Sequence, residues 1–238
     1  MREAKTGWLW RAGWGPLAAL LLLGLLRCQP AAWAGSDFAA AQSASTPKPE
    51  DKTTVIVVVG APGEEEFGKN FAKWADNWAK ASRMAGAKYV DIGVTKHVTG
   101  TDRERLQQAL LDEPKATAGE LWLVFIGHGT FDGKAAKFNL QGPDLSAAEL
   151  ASWLKPFRRP LAVIDTSSSS GPFLSQLSAT NRVVITATKS GMELNYARFG
   201  QYLSEAMLDL QADLDKDGQV SLLEAYLSAS HRVAEFYR

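Results

Sequence analysis

The sequence predicts an α/β fold: a mostly parallel sheet flanked by helices, followed by a C-terminal helix–loop–helix. Three observations carry this. Val55-Ile56-Val57-Val58-Val59 and Leu121-Trp122-Leu123-Val124-Phe125-Ile126 are unbroken apolar runs, as expected of strands buried on both faces. Segments with one-sided helical spacing separate such runs, and that alternation builds parallel sheets. Near the C-terminus, an acidic stretch over 213–224 lies between two amphipathic segments.

In order along the chain, the first strand begins at Thr54 and stops at Gly60. Phe67, Phe71, Trp74 and Trp78 then recur at spacings of four, three and four, the stripe of a helix packed on a sheet. Gly60-Ala61-Pro62-Gly63 has the look of a phosphate loop, but Glu64, Glu65 and Glu66 follow. Carboxylates there occupy the positive end of the helix and repel phosphate, so the segment is read as a helix start. Lys88–Ile92 is a weaker second strand. Thr101 and Glu104 form a capping box for a helix that ends before Pro114. The third strand runs into Gly127-His128-Gly129. Ser146 and Glu149 form another capping box, for a helix to about Lys155. Leu161–Ile164 is the fourth strand and enters Asp165 and four serines, which cap a helix beginning near Pro172. Arg182–Thr188 is the fifth strand. Helices are expected over Tyr196–Gln211 and Leu222–Phe236.

The chain has 238 residues, 46% apolar and 22% charged, with Lys plus Arg equal to Asp plus Glu. That balance gives no electrostatic reason to expect nucleic acid or an anionic membrane as partner. Residues 1–34 read as a signal peptide. Arg2, Lys5 and Arg11 precede a short apolar run from Pro16 to Leu26, and Ala32-Trp33-Ala34 offers a cleavage site. The run is short for a membrane span, although Trp8, Trp10 and Trp14 could seat an uncleaved anchor at an interface. The exported product is expected to be secreted or periplasmic, with no stable span after cleavage. Residues 35–53 are rich in Ala, Ser, Thr, Pro and Lys and read as a disordered linker. Residues 54–195 form the α/β domain, and 196–238 the C-terminal helices. The only cysteine, Cys28, lies in the leader. Cleavage therefore leaves no disulfide, thiolate nucleophile or zinc–thiolate site.

In open α/β sheets, sites form at the carboxyl ends of strands. Three such ends are polar here: His128 between glycines, the run Asp165–Gly171, and Thr188-Lys189-Ser190-Gly191 followed by Glu193 and Asn195. A strand ending in His-Gly, then a later strand ending in Asp and a small-residue turn closed by Ser-Gly, resembles the caspase/legumain/gingipain group of cysteine peptidases. The likeness covers roughly residues 54 to 205 and implies a caspase-like three-layer sandwich. It maps His128 onto the dyad histidine, and Ser167 or Ser168 onto the cysteine, depending on the end from which the turn is counted. A serine at that position needs an aligned base, a third group to orient the base and an oxyanion hole. Asp132 and Asp165 are candidate orienting groups. A non-catalytic pseudopeptidase is therefore expected, with a peptide or protein held in the former substrate cleft. A hydrolase using His128 with Ser167 or Ser168, and a purely structural envelope domain, are the alternatives.

Residues 213–224 fill every position of a twelve-residue EF-hand loop. Asp213, Asp215 and Asp217 supply carboxylates at positions 1, 3 and 5, and Gly218 allows the bend at 6. The Gln219 carbonyl serves position 7, Val220 packs inward, Ser221 can hold a water, and Glu224 at 12 can bind through both oxygens. The expected ion is Ca2+. A single loop in an exported protein reads as a structural staple for the C-terminal helix. Secreted bacterial caspase-like proteins with such a loop appended look similar. No second His, Asp or Glu beside His97 or His231 is read as completing a metal site, and both are read as surface residues.

Overall fold

A computed structural model describes residues 51–95 and 99–238. The leader, most of the expected linker and His97 lie outside the described residues. Among the described residues no helix is long and apolar enough to cross a membrane.

Strands β1 (Thr54–Val59), β2 (Lys88–Ile92), β3 (Leu121–Ile126), β7 (Leu161–Asp165) and β8 (Arg182–Thr186) form one sheet in the order β2-β1-β3-β7-β8. Every pairing in it is parallel. Side chains alternate between two cores, as the period of two requires. Val55, Val57 and Val59 face a core shared with α1 (Glu65–Met84), α5 (Phe199–Ala206) and α6 (Leu222–Phe236). Ile56 and Val58 face a second core with α2 (Asp102–Asp112), α3 (Ala147–Leu154) and α4 (Gly171–Leu177). The result is helices, sheet, helices. The α1 stripe lands where its spacing predicts: Phe71, Trp74 and Trp78 are buried in the first core.

Local chemistry sets the helix ends. Thr101 Oγ1 accepts from Glu104 N, and the Glu104 carboxylate accepts from Thr101 N at 2.8 Å, a complete capping box. Ser146 makes only half of the expected box. Its hydroxyl accepts from Glu149 N, but the Glu149 carboxylate turns to Arg103 on α2. A charged partner outweighs a backbone N–H there.

Four features depart from the sequence reading. Ser170 stands at the N-cap of α4 but its side chain makes no cap bond there. A small antiparallel sheet of β4 (Gly129–Phe131), β5 (Ala136–Phe138) and β6 (Leu145–Ser146) occupies the stretch between β3 and α3. Its strands are two or three residues long, too short to show a period. The fifth sheet strand ends at Thr186 instead of Thr188, because Thr188 leaves the ladder to bond Ser170. The helix expected over 196–211 spans only Phe199–Ala206, and a 3-10 turn at Leu210–Ala212 follows. Asp209 accepts from Gln211 N (2.9 Å), a local bond that competes with the helical ladder.

The amino end of the sheet is clamped by Arg159, which is 1% exposed. Its guanidinium donates to the carbonyls of Gly119 (2.7 Å), Glu120 (2.8 Å) and Lys52 (3.3 Å) and to the Glu113 carboxylate (3.0 Å). One side chain thus ties the lead-ins to β1 and β3 to the end of α2. Asp51, in the expected linker, also docks there, accepting from Ala118 N.

Candidate functional site

The order of the strands reverses between β1 and β3, so the crevice for a ligand opens beyond their carboxyl ends. His128 follows β3 at this point. Its Nε2 lies 3.1 Å from the carbonyl oxygen of Pro62, in the β1–α1 connection. A neutral imidazole that donates there keeps its lone pair on Nδ1. The ring sits among Phe67, Phe71 and Tyr196, with centroids 4.9, 5.2 and 6.4 Å away. Tyr196 is itself partly buried, and burial pushes its hydroxyl pKa up to about 12. The crevice proper is filled by the protein: Phe138 of β5 is fully buried and packs edge-on against Phe125 at 5.2 Å. Gly60 and Gly127 make room for it. A Cβ on Gly127 would lie 2.9 Å from the Phe138 ring, and one on Gly60 would lie 2.3 Å from Asn139 O.

The serine turn follows β7. All four of its serines are buried. Ser167 Oγ donates to Asp165 Oδ1 at 2.6 Å, and Ser167 N donates to the same oxygen at 3.0 Å. Ser168 Oγ is within 3.2 Å of both Gly129 N and Gly129 O. Ser170 Oγ accepts from Thr188 N and lies 3.2 Å from Thr188 Oγ1. Ser169 has a left-handed backbone (φ 55°), and its buried hydroxyl has no hydrogen-bond partner. The structure therefore brings the two candidate serines beside Asp165 and Gly129, while the His128 Nε2 is directed to Pro62. Asp165 is fully buried, and desolvation raises its pKa to about 6 against the lowering effect of the Ser167 hydrogen bonds. Among the described residues its Oδ2 has no hydrogen-bond partner. Asp132, the other candidate orienting group, is spent on a turn: Oδ1 accepts from Ala135 N (2.8 Å) and Lys134 N (2.9 Å), which holds its carboxyl below the ordinary range.

The acidic loop lies elsewhere. Gly200, at the start of α5, packs against Thr166 and Trp74, and further along α5 Ser204 bonds Asn77 of α1. The helix thus leads away from the serine turn, and the acidic loop comes after its far end. Asp213, Asp215 and Glu224 each bring a carboxylate oxygen to within 4.8 Å of the others. Asp213 and Glu224 are buried. Asp213 accepts from Lys216 N (2.7 Å) and Gly218 N (3.0 Å), and Glu224 Oε1 from Leu214 N (2.7 Å) and Asp215 N (3.2 Å). Glu224 Oε2 caps Ser221 N at the start of α6. Burial works to raise the Glu224 pKa, yet the hydrogen bonds from Ser221, Leu214 and Asp215 prevail and hold it below the ordinary range. Asp217, also expected in the ligand set, stands outside this group of carboxylates; its Oδ1 accepts from Gln219 N at 2.8 Å. Three carboxylates so close repel one another by about 1 kcal/mol per pair in water and about 3.5 kcal/mol where partly shielded from it. The donor set is all oxygen, which suits a hard divalent cation.

Two contributions to the site went unread in the sequence. Phe138, in a three-residue strand, carries no periodic signal, and Pro62 contributes only a carbonyl. His231 is exposed on α6, 3.2 Å from Glu235. No protein-family model matches this chain, and no curated protein matches it.

Proposed function

We propose that this chain is an exported, calcium-stabilised, caspase-like module that binds a peptide or protein without cleaving it. The observation that carries the reading is the converged carboxylate group of Asp213, Asp215 and Glu224 inside a loop that fills all twelve EF-hand positions. Calcium would be held by these carboxylates with Asp217 and the Gln219 carbonyl, and its role is electrostatic. It would neutralise the mutual repulsion and fasten α6, which already meets α5 through Arg232 on Glu205 (2.6 Å) and over the Tyr202 ring (4.3 Å). The loop comes after the far end of α5, whose first residues pack on the serine turn, and this favours a staple over a catalytic ion.

The non-catalytic half of the reading is supported at the strand ends. The motifs resemble the caspase/legumain/gingipain group, but serines stand where the thiolate would be. A nucleophile needs access and a base. Ser167 is buried and donates to Asp165, and Ser168 is engaged with Gly129. Export rests on the leader motif alone.

Calorimetry with calcium tests the first half: the native chain takes up one ion, and Asp213→Ala and Glu224→Gln each abolish uptake. Unchanged uptake in both removes the calcium site. A fluorophosphonate probe tests the second half: no adduct forms on Ser167 or Ser168, and His128-dependent labelling of either makes the protein a hydrolase.

A further inference from the structure

The serine turn does not close itself; the segment that leaves β8 covers it. Ser169 N donates to Glu193 O at 2.9 Å, Gly171 N donates to Thr188 Oγ1 at 3.0 Å, and Thr188 N donates to Ser170 Oγ at 3.1 Å. The approach is close enough that a Cβ on Gly171 would lie 2.4 Å from Ser190 N, and one on Gly191 would lie 2.5 Å from the Phe131 ring. The cover takes its shape from one carboxylate. Glu193 Oε1 accepts from Ser190 N (3.0 Å), Lys189 N (3.1 Å) and Ser190 Oγ (3.1 Å). Its crest is solvent-exposed, with Met192 72% and Leu194 63% exposed.

Beneath the cover, polar pairing is incomplete. Ser169 Oγ is buried without a hydrogen-bond partner among the described residues, and Ser169 holds a left-handed backbone that an L side chain disfavours. Opening would hydrate that hydroxyl and relieve Ser169. The closed form is kept by a few backbone and hydroxyl bonds instead of an apolar core, the condition under which a segment opens locally well before the domain unfolds.

We propose that Thr188–Glu193 is an opening strap that sequesters the outer half of the serine turn, with Glu193 as its latch. The strap admits solvent or a ligand to Ser169 and Ser170 when its three bonds to the turn break, and the Glu193 carboxylate, which shapes the strap, favours the closed form. This stands whether or not the acidic loop binds calcium and whether or not the turn is catalytic.

Thiol labelling tests it in the full chain with Cys28→Ser, which removes the only native thiol. Ser169→Cys reports on the strap, since its hydroxyl has no bond to lose. Ser82→Cys, fully buried in α1, reports on global opening. Adding Glu193→Ala should speed labelling at position 169 by about tenfold to a hundredfold, the worth of hydrogen bonds to one charged group, and leave position 82 within about twofold. Glu193→Gln, which keeps an acceptor oxygen, should fall between. An unchanged rate at 169, equal acceleration at both positions, or native labelling at 169 as fast as a free thiol each overturns the strap. Hydrogen exchange on the unmodified chain is the second measurement. Amides of Ser169, Gly171 and Thr188 should exchange together and before those of Val163 and Ile164 in β7. Exchange of both groups in a single global event overturns it as well.

Discussion

The serine turn and the acidic loop are both short polar segments pressed against the domain, yet they settle their polar atoms in opposite ways. In the serine turn each hydroxyl but one finds a neutral or single charged partner inside the fold: Asp165 for Ser167, Gly129 for Ser168, Thr188 for Ser170. The acidic loop also spends its own N–H groups, on Asp213 and Glu224, and still leaves three like charges within 4.8 Å. A hydroxyl carries its own proton and can be satisfied by one neighbour. Converged carboxylates that are all ionised cannot satisfy each other, and an added cation completes them. Convergence of charge, not polarity as such, is therefore what points to a ligand.

Asp165 offers the sharpest test of that contrast, being a buried carboxyl with no ion pair among the described residues. Its folded pKa of about 6 lies above the ordinary 3.8. Its contribution to stability is therefore fully present below pH 4 and is lost as pH rises through 6. The loss amounts to about 3 kcal/mol by linkage. Urea unfolding of the native chain and Asp165→Asn should show the variant gaining by that order relative to native between pH 4 and pH 7. A difference that is flat with pH would mean that Asp165 has a partner the geometry does not reveal.

The next largest effect belongs to the acidic loop. Calcium at about one hundred times its dissociation constant should stabilise the folded chain by about 2.7 kcal/mol, read as a rise in Tm. Asp213→Ala should remove the increment. Glu224→Gln should remove it too, while its amide oxygen can still accept from Ser221 N at the start of α6. A calcium-dependent rise that survives in Asp213→Ala would break the comparison.

Smaller effects separate the two candidate serines. Ser167→Ala removes a hydrogen bond to a carboxylate and should cost about 1.5 to 3 kcal/mol near neutral pH. It should also move the Asp165 transition to higher pH, since that bond opposes the effect of burial. Ser168→Ala should cost about 1 kcal/mol and leave the transition in place. If the two variants shift the transition equally, the Ser167–Asp165 contact does not define the turn.

Much of this was legible without coordinates. The runs at Val55–Val59 and Leu121–Ile126, the stripe of Phe71, Trp74 and Trp78, the Thr101 cap and the bounds of α6 all follow from local period and local hydrogen bonding. The acidic loop was legible as well, since its donors lie within twelve residues and their spacing in sequence largely sets their spacing in space. The serine turn was visible as a strand-end cluster, but its partners were not. Sequence alone determined that the sheet is parallel, that polar residues crowd its carboxyl ends and that no thiol remains there. Only the tertiary structure decided that His128 faces Pro62, that Phe138 fills the crevice and that the Glu193 segment covers the serines. Those contacts join residues up to about eighty positions apart, and which of several chemically equal partners a side chain meets is set by the packing of whole layers, on which local periodicity carries no information.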